Sequence, residues 1–209
     1  MTKSKEKKQL LLGIVGPLAS GKGAVAEYLR SHYGFLSFTL SHLVHEELEN
    51  RKIKNYTRQD LQNVGNELRT KYGDAVLAER AIAKFHNHRS TLVLIEGIRN
   101  PGEVKFLKQH KHFYLISVNA DAKVRFSRLT FRNKPWDPKT WKEFLKISRR
   151  DLGKNEGKSG QQVASCMAMA DFTMTNNRDL SHVYKEMERI IFQIKRQDGV
   201  ARKILQGNH

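Results

Sequence analysis

A chain of 209 residues, 39% of them hydrophobic, is long enough to bury one full core. Its 38 Lys and Arg against 21 Asp and Glu leave a net charge of +17, which favours nucleotides, nucleic acid and other polyanions as partners and allows nonspecific nucleic-acid affinity. The single cysteine, Cys166, excludes an intramolecular disulfide, and no run has the length of a membrane helix or the form of a secretory signal, so a cytoplasmic protein with no membrane partner is expected.

Residues 1–8 (MTKSKEKK) read as a solvated basic tail. The apolar run Leu10–Leu12 then leads into Gly13-Ile14-Val15 and Gly16-Pro17-Leu18-Ala19-Ser20-Gly21-Lys22, a G-x-x-x-x-G-K sequence followed by an amphipathic stretch with Val25, Tyr28 and Leu29 on one face. That order predicts a strand, a phosphate-binding loop and a helix. The glycines let the backbone amides turn toward an anion, the helix contributes its positive end, and Lys22 a mobile cation for the β- and γ-phosphates. Gly16, Pro17, Leu18, Ala19, Ser20, Gly21, Lys22, Gly23 and Ala24 are the expected ATP-contacting set. Gly23 stands where such loops usually carry a Ser or Thr that ligates Mg²⁺, and Ala24 supplies no hydroxyl either.

A short second strand is expected over Phe35–Phe38, then helices over Ser41–Asn50, Thr57–Gly73 and Asp74–His88, the second opened by a Thr57/Asp60 capping pair. Gln62-Asn63-Val64-Gly65-Asn66-Glu67-Leu68-Arg69 is unusually polar for a helix packed in a core, so one face of that helix is expected to meet a ligand. Three helices between the second and third strands make an inserted module, about residues 40–90.

Thr91–Gly97 is a continuous apolar run, as expected of a strand buried on both faces of a parallel sheet. It ends in Glu96 at the carboxyl end of the strand, where open α/β sheets bind ligands. Glu96 reads either as the acid that organises Mg²⁺, directly or through water, or as an ordinary strand-end acid. A short helix over Glu103–His110, a fourth strand over His112–Asn119 and a helix over Asp121–Arg132 follow. Arg125, Arg128 and Arg132 share one face of that helix without matching acids, which makes the face either an anion site or a solvated basic surface. A helix over Thr140–Asp151, a Gly- and Lys-rich loop over Gly153–Gly160 and a small-residue helix over Gln161–Ala170 lead to a fifth strand over Asp171–Thr175. Leu180–Gln197 closes the domain as an amphipathic helix, and residues 198–209 read as a basic tail that frays. Trp136, Trp141 and Cys166 read as packing residues, and the nine histidines show no zinc-ligand spacing with Cys166. Five strands alternating with helices give an α/β fold with a parallel, doubly wound sheet in one domain over residues 9–197.

The segments GPLASGKG, LQNVGNELRTKYG, IEGIRNPGEV, RFSRLTFR, GQQVASCMAMADF and TNN together resemble P-loop kinases of the nucleoside monophosphate kinase and dephospho-CoA kinase group. They also resemble the P-loop domain in front of deoxycytidylate-type deaminases. The resemblance implies a three-layer P-loop NTPase fold with strand order 2-3-1-4-5, and a lid over about residues 125–160 carrying Arg125, Arg128 and Arg132 onto the phosphates. It places Asn176 near the nucleotide base and makes the insertion the acceptor-binding element, with Arg69, Arg99 and Gln62 as acceptor contacts. ATP and Mg²⁺ are the implied cofactors, and Lys22, Glu96 and the three lid arginines the implied catalytic set. Three departures stand out: Gly23; His42 and His45 where relatives tend to carry an acid and an Arg; and no zinc-ligand set of a deaminase. The expected activity is transfer of the γ-phosphoryl group of ATP to dephospho-CoA or a (deoxy)nucleoside monophosphate. The alternatives are a catalytically weak nucleotide sensor and a nucleic-acid-associated NTPase or 5′-end kinase.

Overall fold

The computed structural model describes residues 8–85 and 90–207. Its five strands are β1 (Leu10–Val15), β2 (Leu36–Thr39), β3 (Leu92–Glu96), β4 (Phe113–Asn119) and β5 (Phe172–Thr175). They pair in the order β2-β3-β1-β4-β5, all parallel, with β1 at the centre. Every residue of β1 is buried, because strands flank both its edges and helices cover both its faces.

The period-two alternation of a strand divides the core in two. Leu11 and Val15 face the layer built from α2 (Leu40–Asn50), α3 (Arg58–Tyr72), α4 (Val76–Phe85), α5 (Pro101–Leu107) and α8 (Val163–Ala168). Leu10, Leu12 and Ile14 face the other layer, α1 (Lys22–Tyr33), α9 (Leu180–Gln197) and α10 (Gly199–Gln206). The remaining helices, α6 (Ala122–Arg132) and α7 (Trp141–Asp151), carry a smaller cluster in which Leu129 and Phe144 pack on Leu18 of the loop.

Gly13 lies on the first face, where a Cβ would fall 2.7 Å from Phe113 Cζ and 2.9 Å from both Ile98 and Leu115 side-chain methyls. A methyl group there overpacks the middle of the sheet. Gly13→Ala is expected to cost about 1–3 kcal/mol, read as a lower midpoint in chemical unfolding at unchanged slope; an unchanged midpoint would contradict this packing.

The structure corrects the C-terminal tail. Residues 199–206 form α10 rather than fraying, with Ala201 and Leu205 buried on the sheet layer. Asp198 ends α9 and caps α10, accepting from Val200 N at 2.9 Å and Ala201 N at 3.0 Å. The helix Glu103–His110 instead starts at Pro101, with proline at its first position and a reciprocal Asn100/Glu103 capping box in front. Thr57 and Asp60 form the expected box on α3. The expected end of the third inserted helix at His88, and the tail over residues 1–7, lie outside the described residues.

Candidate phosphoryl-transfer site

The loop between β1 and α1 lies at the carboxyl end of the central strand. Gly21 precedes α1 with φ 96°, and α1 has no side-chain cap and no acid in its first turn. The positive end of the helix is therefore left for an anion. Lys22 Nζ folds back to donate to the carbonyls of Gly16 at 2.6 Å and Pro17 at 2.9 Å.

The loop is held from behind by two of the arginines expected in a lid. Arg125 donates to Leu18 O at 3.2 Å and Ala120 O at 3.0 Å, with Ser148 Oγ at 3.0 Å, and its guanidinium lies over the Phe144 ring. Arg128 donates to Ser20 O at 3.3 Å and to Asn176 O and Oδ1 at 2.9 and 3.1 Å. Asn176 in turn donates from Nδ2 to Ser20 O at 3.1 Å. A trans peptide sets its N–H opposite its carbonyl, so fixing the Leu18 and Ser20 carbonyls outward turns the Ala19 and Gly21 amides the other way.

These contacts change one reading. Asn176, which the resemblance places near the base, gives its side chain to the loop and to Arg128. Arg132 is not an unmatched cation: it meets Asp137 through two contacts of 2.8 Å, across the turn after α6. The three guanidiniums do not converge on one point.

Burial pushes the Lys22 ammonium down to about 7. The charges of Arg99 and then Arg58 add to this, while Asp151 and Glu96 act against it. A bound polyphosphate reverses the balance and raises the group toward its ordinary value. Triphosphate binding at about pH 8 is therefore expected to take up close to one proton per chain, and almost none from Lys22 at about pH 6, where the amine is already charged. Titration calorimetry in buffers of different ionisation enthalpy reads this directly; buffer-independent heats at pH 8 would contradict it.

Glu96 sits at the end of β3, where Ser37 Oγ donates to it at 2.5 Å. No group of three or more His, Cys, Asp or Glu suited to a metal occurs among the described residues. The donor set present fits a magnesium ion held mainly by nucleotide oxygens and water, with Glu96 as the protein carboxylate. Gly23 is exposed, and a Cβ added there would meet nothing within 4 Å.

Beside the loop, a narrow cavity of about 20 Å³ is lined by residues that include Arg58, Gln62, Arg69, Arg99 and Gln161. Arg69 is 1% exposed; its Nε and Nη2 meet Glu103 Oε1 at 2.9 and 2.8 Å, while Nη1 has no hydrogen-bond partner among the described residues. Gln62 Nε2 donates to Gln161 Oε1 at 3.3 Å, and Gln62 Oε1 is likewise unpaired. Arg99 pairs with Asp151 and reaches Gln161. Asp151, at the end of α7, is buried, and its other oxygen accepts from Leu18 N at 3.2 Å. One carboxylate thus ties the phosphate loop to an arginine of the adjoining cavity.

Two residues of this site escaped the sequence reading. Asp151 gave no local signal, since its partners lie 133 and 52 residues away. Arg58 did: a cation at the first position of a helix opposes the dipole, and this one is pushed down to about 10 by burial, with Arg99 adding to the effect. His45, Tyr56 and Trp136 make an aromatic group, with His45 Nδ1 2.6 Å from Tyr56 OH and Trp136 stacked near Tyr56. His45, one of the departures from the resemblance, is thereby occupied in joining α2 to the turn after α6. Trp141 packs with Phe126 and Phe144.

A parallel sheet in this order, carrying a G-x-x-x-x-G-K loop after its central strand, defines a P-loop protein of kinase-like fold. Comparison with known proteins agrees. The chain matches the AAA domain family over residues 12–148. It is 31% identical over 190 residues to UPF0200 protein PH1008 of Pyrococcus horikoshii, covering 88% of this chain and 97% of that one. The chain belongs to the AAA domain family and to the UPF0200 proteins. Among solved structures, TT1252 from Thermus thermophilus superimposes with a TM-score of 0.59 at 20% identity, over 91% of this chain and 98% of that one. Shikimate kinase from Acinetobacter baumannii in complex with shikimate does so with a TM-score of 0.56 at 15% identity, over 92% and 96%. These likenesses are likenesses of fold. No helix among the described residues is long and apolar enough to cross a membrane.

Proposed function

We propose that this protein transfers the γ-phosphoryl group of ATP to a phosphate-bearing, nucleotide-like acceptor such as dephospho-CoA or a (deoxy)nucleoside monophosphate. The observation that carries the reading is the direct adjacency of the phosphate loop to a cavity lined by three arginines, with Asp151 joining the two.

In this reading the loop amides and Lys22 hold the β- and γ-phosphates, and Arg58, Arg69 and Arg99 take the acceptor's phosphate. An acceptor oxygen, either an ionised phosphate oxygen of a monophosphate or a hydroxyl of dephospho-CoA that gives up its proton to solvent, forms a bond to the γ-phosphorus as the bond to the β,γ-bridging oxygen breaks, and ADP leaves with that electron pair. Such a transfer needs positioning and charge neutralisation more than covalent help from the protein. When bound, Mg²⁺ supplies charge neutralisation at the phosphates, and Glu96 is the residue that would hold it, directly or through water. Arg125 and Arg128 act through the loop they fix, and Arg132 through the lid turn. A cavity of about 20 Å³ holds only a water-sized group, so the acceptor enters as the inserted helices and the lid part, a motion common in such enzymes.

The test is coupled ADP release with Mg–ATP against dephospho-CoA, each nucleoside and deoxynucleoside monophosphate, 5′-hydroxyl oligonucleotides and no acceptor. Acceptor-dependent turnover of about 1 s⁻¹ or more supports the reading and names the substrate. ATP binding without turnover on any acceptor would favour a nucleotide sensor, for which the missing hydroxyl at Gly23 already argues. Stimulation by oligonucleotides alone would favour a nucleic-acid 5′-end kinase.

A further inference from the structure

A larger cavity lies at the amino end of the central strands, and the proposed reaction does not use it. It measures about 570 Å³, a volume typical of small-molecule sites. Its walls come from the segment before β1 (Lys8), the start of β4 with its approach (Lys111, His112, Tyr114) and the α9–α10 corner (Asp198, Lys203). The phosphate loop leaves the other end of β1, about 20 Å away for six residues in extended chain.

The charge in this cleft is unbalanced. Lys8, Lys111 and Lys203 line it, and none of them forms an ion pair with an acid among the described residues. The one acid in the walls, Asp198, has no capacity left. Its Oδ1 caps α10, and its Oδ2 takes His112 Nδ1 at 2.7 Å and Tyr114 OH at 3.0 Å. That pairing also fixes the His112 ring, leaving Nε2 as its remaining polar atom. Three ammonium groups around a concave surface repel one another and focus a positive potential that an anion relieves. Val200, Ile204 and the Tyr114 ring provide apolar wall beside the cations.

We propose that this cleft is a second anion site, which takes a small, multiply phosphorylated molecule through Lys8, Lys111, Lys203 and His112. It stands apart from the transfer site and does not depend on the proposed reaction. Tripolyphosphate is the probe, since it carries the phosphate chemistry without a base or sugar. Calorimetric titration is expected to give two tripolyphosphates per wild-type chain. Lys22→Ala removes the loop site and leaves one. The double substitution Lys111→Glu and Lys203→Glu is expected to weaken the other by about tenfold or more and to leave the loop site intact. Both side chains are exposed, so an unchanged unfolding midpoint of the double variant verifies that the fold persists. Unaltered binding in the double variant, or a single site that Lys22→Ala abolishes, would overturn the proposal. So would binding of a single-stranded RNA oligomer that Lys111→Glu and Lys203→Glu abolish where tripolyphosphate does not bind, which would make the cleft a nucleic-acid contact instead. Loss of the loop site alone would instead count against the kinase reading and leave this inference standing.

Discussion

Lys22→Ala is expected to lower the rate of phosphoryl transfer by about a thousandfold, the scale seen when one preorganised charge-stabilising donor is removed. Among the described residues, Lys22 is the cation that bonds to the carbonyls of Gly16 and Pro17, in the loop proposed to hold the phosphates. The fold should tolerate the change. Because burial and the arginines beside it push the ammonium down to about 7, the folded chain disfavours the charged form relative to the unfolded one. A lowered lysine pKa costs stability at and below about pH 7, and that cost fades as pH rises toward the ordinary value. Removing the amine therefore should not lower the thermal midpoint at neutral pH. Lost turnover with an unchanged midpoint identifies Lys22 as functional; a parallel loss of both would make its role structural.

Arg69→Met is expected to destabilise the protein by about 3–5 kcal/mol. Arg69 and Glu103 form an ion pair in which neither side chain is more than 1% exposed. Taking the arginine away leaves the Glu103 carboxylate buried with only the amides of Arg99 at 2.7 Å and Asn100 at 3.1 Å as partners. Those amides open α5, so the damage reaches the turn that carries Arg99 into the cavity. Removing both charges at once leaves no buried unpaired ion. The double variant Arg69→Met with Glu103→Gln should recover a large part of the loss, and a double-mutant cycle from denaturant midpoints measures the coupling. Additive effects of the two substitutions would contradict the pairing.

The parts of this molecule that were legible in sequence are those with local signals. The continuous apolar runs at β1 and β3, the G-x-x-x-x-G-K spacing and the Thr57/Asp60 box each depend on neighbours within a few residues, and each stands where the pattern placed it. The sheet order followed from the family resemblance. The α10 helix was missed although Asp198 as a cap and Ala201, Ile204 and Leu205 at helical spacing announced it; the surrounding charge masked the pattern. Arg132 was misread because its partner Asp137 comes after the helix, across a turn. Asp151 was out of reach, because its meaning lies in Leu18 and Arg99, brought to it only by the fold.

The site's polar residues divide accordingly. Arg125, Arg128 and Asn176 were marked by position and type, yet they brace the loop through its carbonyls. Arg58 and Arg69 both lie on α3 and Arg99 on the turn after β3, yet all three meet at one cavity. Helical spacing alone relates residues on one element; it cannot bring separate elements together.

The most direct measurement is a single-turnover reaction with ATP labelled at the γ-phosphoryl group, wild-type enzyme in excess and an acceptor panel present, with products separated by chromatography. The account predicts that the label moves from ATP onto one phosphate-bearing acceptor, that Arg99→Ala weakens this for the acceptor and not for ATP, and that Lys22→Ala prevents it. Label that stays on ATP with every acceptor, or appears only as free phosphate, would contradict transfer between the loop and the arginine cavity.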